Sequence, residues 1–333
     1  LLIQTRDSVG AFANSVGDSG HSTQPVSIVF DTDMDSDCDD LGALAVLHAL
    51  ADRGEARILA VITTTDDAFT PLCADAVNTY YGRPDIPIGV LDPESSGSTR
   101  GRSRYTEEIA AAFPHDLQSY SEAEDSTDLY RRVLAGQPNE SVVIVTVGHL
   151  TSLRRLMDSK PDDISPLSGM ELIRRKVKFL SCMGGRYPEG KEANFYRPDP
   201  AATVRVVSDF PKPIVFSGWE IGSAIQTGSR LDETPEANPV RKGYALYLGG
   251  EGEGKTRASW DQTAVLYAVR GLREYWTAET AGFCHVFEDG SNEWRSSPDR
   301  DHAYLVEKMP PAEVAAIIDE LMIRPPELPS DGR

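Results

Sequence analysis

Six carboxylates occupy the ten residues Asp31-Thr32-Asp33-Met34-Asp35-Ser36-Asp37-Cys38-Asp39-Asp40. With 52 acids spread over 333 residues, any ten should hold fewer than two, so composition does not explain the run. Carboxylates packed this closely repel: two charges 4 Å apart interact by roughly 4 kcal/mol at an effective dielectric of 20. Such a loop must be well solvated, hold some groups protonated, or enclose a cation. Its donors are all oxygens, with no His and no adjacent Cys pair, which selects Ca²⁺ or Mg²⁺ over zinc.

Those acids need elements to position them. The apolar run Val26–Phe30 precedes them and the helical pattern Leu41–Leu50 follows, which predicts an acidic loop at the carboxyl end of a buried strand. Asp39 and Asp40 then fall in the first helical turn, where the helix dipole favours negative charge. Further strands are expected at Ile58–Thr64, Ile86–Val90, Val142–Val147, Lys178–Met183 and Pro213–Phe216. Helical patterns fall at Leu72–Tyr81, Tyr105–Phe113, Leu129–Leu134 and Ala201–Val207, then at Val240–Leu248, Gln262–Arg270 and Ala312–Met322 in a more helical C-terminal third. Asp289-Gly290 marks a hairpin turn within Cys284–Trp294. The expected fold class is α/β, an open and mostly parallel sheet with helices on both faces. A single domain over residues 26–330 is expected, after a disordered leader at 1–25 rich in Ser, Gly and Asn. Ala11-Phe12-Ala13 has the small-x-small form of an export cleavage site but lacks the charged and apolar regions that precede one, which leaves exported and cytoplasmic residence both open. Ligands of such sheets bind where strands end at their carboxyl edge.

Composition excludes some functions. A formal charge of −19 argues against nucleic acid and against an anionic membrane surface. No apolar run reaches the 18 residues of a membrane span. Cys38, Cys73, Cys182 and Cys284 are too scattered for a zinc site or a disulfide framework. The Gly-rich stretch 249–254 lacks the Lys-Ser/Thr ending of a phosphate-binding loop.

An EF-hand loop counted from Asp31 would need Gly where Ser36 stands and Glu where Gly42 stands. A haloacid-dehalogenase-like phosphatase also begins strand-Asp-x-Asp, but expects Thr or Val at Asp35. It supplies the first alternative, a Mg²⁺-dependent phosphohydrolase with Asp31 as nucleophile. The string Val29-Phe30-Asp31-Thr32-Asp33 followed by Asp39-Asp40 resembles the signature of calcium-dependent nucleoside hydrolases, with five residues rather than three between the Asp pairs. Further matches follow in family order: Val143–Val147 with Gly148-His149-Leu150-Thr151, Met183-Gly184-Gly185, Glu192-Ala193-Asn194-Phe195 with Asp199-Pro200, and Trp260-Asp261. One extra residue lies between Asn194 and Asp199, and the resemblance spans residues 27 to 271.

The resemblance implies hydrolysis of the N-glycosidic bond of ribonucleosides. It implies one Ca²⁺ at Asp33, Asp40, Asp261 and the backbone carbonyl of Val147, with Asp33 as general base toward the water. Asp39, Glu192 and Asn194 would hold the ribose hydroxyls. Trp260 stands where many members carry a proton-donating His, and is similar to the purine-preferring branch, in which a ring stacks on the base. The implied assembly is a homo-oligomer, dimer or tetramer. The insertion leaves Asp35 and Asp37 unassigned, and either could take one of these roles. Asp67, with Asp66 after the second strand, and His149 after the fourth could also approach the pocket; a solvated loop and a packed histidine are the plainer readings. His48 reads as packing; Trp219-Glu220, after Pro213–Phe216, could line the pocket, with core packing the plainer reading. The second alternative is a non-catalytic protein that keeps the metal site and binds a nucleoside or sugar.

Overall fold

The computed structural model describes residues 24–35, 37–91, 105–297 and 301–327. Residues 1–23 of the expected leader, and Ser36 of the acidic run, lie outside the described residues. The strands are β1 (Val26–Thr32), β2 (Ala56–Thr63), β3 (Ile88–Val90), β4 (Glu124–Asp125), β5 (Val142–Thr146), β6 (Val177–Met183), β7 (Glu189–Lys191), β8 (Ile214–Ser217), β9 (Gln226–Thr227), β10 (Arg257–Ala258), β11 (Trp276–Glu279), β12 (Gly282–Val286), β13 (Ser291–Ser296) and β14 (His302–Glu307). Nine of them form one sheet in the order β11-β14-β8-β6-β5-β1-β2-β3-β4. Every pairing in it is parallel except β11 with β14.

Buried parallel strands need apolar residues on both sides, and β1 shows how they divide. Ile28 and Phe30 enter one core cluster with the helices Asp39–Asp52, Thr70–Tyr80, Trp260–Arg270 and Pro311–Met322. Val29, pointing the other way, enters a second cluster with the helices Ser126–Ala135, Thr151–Asp158, Gly169–Lys176 and Pro200–Asp209. Helices therefore cover both faces, as the alternating pattern predicts. The C-terminal third carries its helices and also β11 and β14, which extend one sheet edge. The Asp289-Gly290 turn joins β12 to β13, and Gly290 adopts φ +78° there. β13 pairs β7 as well, forming a small three-stranded sheet beside the main one. Among the described residues no helix is long and apolar enough to cross a membrane.

The order of strands decides where chemistry can sit. The chain moves outward from β1 through β2, β3 and β4 on one side, then restarts at β5 on the other. The carboxyl ends of β1 and β5 therefore flank a topological switch point, where loops diverge and leave a crevice.

Candidate active site

β1 ends at Thr32 and β5 at Thr146, so Asp33 and Val147 are the first residues beyond each strand. The Val147 amide donates to the Asp31 carbonyl at 2.8 Å, which keeps the two strand ends side by side. The segment after Asp33 is folded down rather than solvated. Met34 and Cys38 are fully buried in the core, Thr70 Oγ1 donates to the Met34 carbonyl at 2.8 Å, and Tyr105 Oη donates to the Asp37 carbonyl at 2.5 Å. These anchors absorb the two extra residues. The helix Asp39–Asp52 then starts with both acids in its first turn.

The late acid arrives on another helix start. Asp261 opens the helix Trp260–Arg270, which crosses the helix Asp39–Asp52 at Gly42. A Cβ at Gly42 would stand 2.4 Å from both Gln262 Nε2 and Tyr244 Oη, so a larger residue there would have to displace these buried side chains. Carboxylate oxygens of Asp39, Asp40 and Asp261 consequently lie within 4.8 Å of one another, all buried. The Asp261 amide donates to Asp39 Oδ2 at 3.2 Å, and Thr32 Oγ1 donates to Asp40 Oδ1. No basic side chain makes an ion pair with any of the three among the described residues. Burial, then the charges of neighbouring aspartates, raises each carboxyl well above the ordinary range. Two helix N-termini partly offset that repulsion. A buried all-oxygen triad without a cationic side chain fits a hard divalent ion.

Asp33 stands beside the triad in a cavity of about 360 Å³. Val147, Glu192, Asn194, Trp260 and Asp37 line it too. Glu192 is held from two sides: its Oε1 accepts from the Asn194 amide at 2.9 Å and its Oε2 from the Gly185 amide at 3.2 Å. Burial raises its carboxyl to about 7. Asn194 Nδ2 donates to the Val147 carbonyl at 2.8 Å and reaches Met183 Sδ at 3.1 Å. A carbonyl oxygen has two lone pairs, so the Val147 oxygen keeps one for a further partner.

A model of the inosine-uridine preferring nucleoside hydrolase family matches residues 28–320. The chain belongs to this family. It is therefore a hydrolase of N-glycosidic bonds at the level the family defines. Similar solved structures include a plant nucleoside hydrolase, PpNRh1 (19% identity, TM-score 0.67, covering 90% of this chain and 100% of that one). A purine-preferring ribonucleoside hydrolase from Gardnerella vaginalis gives 15% identity and a TM-score of 0.63, covering 89% and 98%. The type III effector protein XopQ, complexed with adenosine diphosphate ribose, gives 17% and 0.65, covering 96% and 98%. At these identities the likeness shows the fold. No curated protein matches the chain significantly.

Several residues of this hydrolase stand elsewhere than their sequence suggests. Asp31 is 1% exposed, accepts from Tyr130 Oη at 2.6 Å, and does not line the cavity. Burial raises its carboxyl well above the usual range, against the opposing Tyr130 bond. A carboxyl enclosed off the cavity wall cannot reach a phosphoester held in that cavity, which removes the structural basis for the phosphohydrolase alternative. Asp67 is not on the cavity wall; it accepts from Thr106 Oγ1 at 2.5 Å and lies 3.1 Å from Thr70 Oγ1, at the starts of two helices. His149 is buried, with Nδ1 3.0 Å from Thr151 Oγ1, and it too is off the wall. Asp37 reaches the cavity but is engaged by Arg257, whose Nε lies 2.9 Å from Asp37 Oδ1 and whose Nη2 pairs with Oδ2. That ion pair accounts for the extra acid as a loop anchor.

The triad also differs in membership from the set the resemblance implies. Asp39, assigned there to the ribose, groups with Asp40 and Asp261, while Asp33 stands alongside. Of the two readings for Trp219 the structure favours the pocket: it lines the cavity, and the Trp260 Nε1–H donates to its carbonyl at 2.9 Å. Arg186 and Arg257 were not legible as site residues because nothing in their local spacing marks them. Their proximity to Trp219 and Trp260 arises from loops between different strands.

Gly148 is the seat of Asp33. A Cβ there would stand 2.6 Å from Asp33 Cβ and 2.7 Å from its amide nitrogen. Gly148→Ala should shift Asp33 and lower kcat at least about tenfold, in line with the sensitivity of catalysis to misplacement of about 1 Å. Unchanged kcat in the purified, folded variant would show that Asp33 needs no such seat.

Proposed function

We propose that the protein hydrolyses purine ribonucleosides to ribose and free base, with one Ca²⁺ held by Asp33, Asp40, Asp261 and the Val147 carbonyl. The reading rests on one observation. Aspartates from opposite ends of the chain converge within 4.8 Å, beside a cavity that Asp33, Glu192 and Asn194 also line. When bound, the ion supplies the positive charge that acidifies an attacking water and balances the acids.

Breaking a ribosidic C–N bond builds positive charge on the sugar. Asp33 accepts a proton from water at a carboxylate oxygen, and the water oxygen forms the new bond to C1′. The C1′–N bond breaks with its electron pair passing to the base, which then takes up a proton. Asp39, Glu192 and Asn194 grip the ribose hydroxyls. Glu192, with its carboxyl near 7, can donate or accept at neutral pH. The surrounding carboxylates favour a cationic transition state electrostatically.

Trp260 cannot protonate the leaving base, since its Nε1–H is used on the Trp219 carbonyl and indole is not an acid at this pH. Its ring offers a stacking surface for a purine instead. Base stacking on an aromatic ring is worth about 1–3 kcal/mol. Trp260→Ala should lower kcat/KM for adenosine or inosine at least about tenfold and that for an activated nitrophenyl riboside less than about threefold. Equal losses on both would remove the stacking role. A second reading, binding without turnover, draws on the likeness to an effector solved with adenosine diphosphate ribose. Tight calorimetric binding of a nucleoside with no release of reducing sugar would identify it.

A further inference from the structure

The cavity is two-sided. Its floor is acidic, yet its mouth carries Arg186, Lys191, Arg197 and Arg257, in a chain whose formal charge is −19. Two of these cations are already neutralised. Arg257 pairs with Asp37, and Lys191 pairs with Asp289 at 3.0 Å. Arg186 and Arg197 make no ion pair among the described residues. Both guanidiniums lie over aromatic rings instead, Arg186 at 3.9 Å from the Trp219 centroid and Arg197 at 4.7 Å from that of Tyr196.

Arg186 is also placed with unusual care for a residue near a surface. The buried Asn292 clamps its backbone from both sides: Arg186 N donates to Asn292 Oδ1 at 3.0 Å, and Asn292 Nδ2 donates to the Arg186 carbonyl at 2.8 Å. Asn292 lies on β13, so the small sheet holds this loop against the cavity. The Trp219 amide donates to the Gly185 carbonyl at 2.9 Å, joining the stacked ring to the same loop. The same Gly185 positions Glu192 through its own amide. The guanidinium, without an ion pair among the described residues, is therefore built onto the loop whose Gly185 amide holds Glu192.

A flat guanidinium fixed by stacking, with its fork of donors unspent, matches a phosphate group. We infer that this site takes a ribosyl ligand bearing a phosphoryl group on its 5′ oxygen, with Arg186, aided by Arg197, holding the phosphate. The inference rests on the proposed function, since it keeps the ribose on Glu192 and Asn194 and the same bond cleavage. Water adds its oxygen to C1′, the base leaves with the C–N electron pair and gains a proton, and the sugar product is a ribose phosphate. The phosphate is untouched. A monoester and a diphosphate share this chemistry.

The test uses the whole protein with calcium in excess over nucleotide. Initial rates and calorimetric affinities are measured for inosine, inosine 5′-monophosphate and adenosine diphosphate ribose. We expect kcat/KM at least about tenfold higher for the monophosphate than for inosine, the size of one good charge-assisted contact. In Arg186→Ala that ratio should fall to about one, with a smaller fall in Arg197→Ala and in Arg186→Lys, which keeps the charge but loses the fork. The ratio should also shrink with added KCl. A preference for the diphosphate alone would assign the site to the bridging group. A ratio of one or less in the unmodified protein, or one unchanged in Arg186→Ala, overturns the inference and leaves the nucleoside reading standing. If no substrate is cleaved, the proposed function fails, and the affinity ratio of monophosphate to nucleoside decides the phosphate site separately.

Discussion

Asp33→Asn is expected to keep the fold and to lower kcat on a purine ribonucleoside by about 10²–10⁴-fold, the usual contribution of a positioned general base. The replacement is isosteric, and Gly148 leaves the same space for it. What changes is the ability to accept a proton from water and one charge on the proposed ion, so rates are compared at saturating CaCl₂. KM should move little if Asp39, Glu192 and Asn194 carry most of the ribose binding, so the loss should sit in kcat. Circular dichroism and the melting temperature establish that the variant is folded, and the rate is read by reducing-sugar release. Near-normal turnover would show that another carboxylate removes the proton, with Asp39 the first to examine because it lies within the triad.

Stripping divalent ions should have the second large effect. Dialysis against a chelator is expected to abolish turnover and to lower the melting temperature by several degrees. A ligand present at 100 times its Kd adds about 2.7 kcal/mol to stability. The direction follows from Asp39, Asp40 and Asp261, whose carboxyls burial and mutual repulsion raise well above the ordinary range when no cation balances them. Raised carboxyls hold protons more tightly, and an ion must compete with those protons, so affinity should weaken as pH falls. Restoration by CaCl₂ at lower concentration than by MgCl₂ would assign the ion, and Asp261→Asn should raise the Kd at least about tenfold by isothermal titration. A chelated protein with unchanged melting temperature and full activity would rule out a bound metal.

Much of this architecture was legible in the chain. The run Val26–Phe30 followed by six acids announced a strand end with a charged loop, and the structure ends β1 at Thr32. The helix periods at Leu41–Leu50 and Gln262–Arg270 were readable too, and each lengthened by a residue or more at its start to include the acids. Neither start has a side-chain cap, but each carries acids in its first turn, which the helix dipole favours beyond the apolar stripe. β14 escaped notice because His302–Glu307 has no long apolar run; it is a strand because it pairs β8 on one side and β11 on the other.

The residues around the cavity divide in the same manner. Acids clustered within ten positions, and motifs such as Glu192-Ala193-Asn194 and Trp260-Asp261, are local strings, and their residue types already restrict the chemistry to hard-ion and hydroxyl recognition. Which acid meets which was decided only by the packing of two helices at Gly42 and by the sheet order that sets β1 beside β5. The same holds for Asp31 turned inward to Tyr130, for Asp37 taken by Arg257 from 220 residues away, and for Arg186 clamped by Asn292. Residue type and local periodicity are properties of short stretches, so they survive in the one-dimensional string. Burial, ion pairing and the shape of a cavity depend on contacts between distant stretches, and those exist only once the two faces of the sheet have been covered.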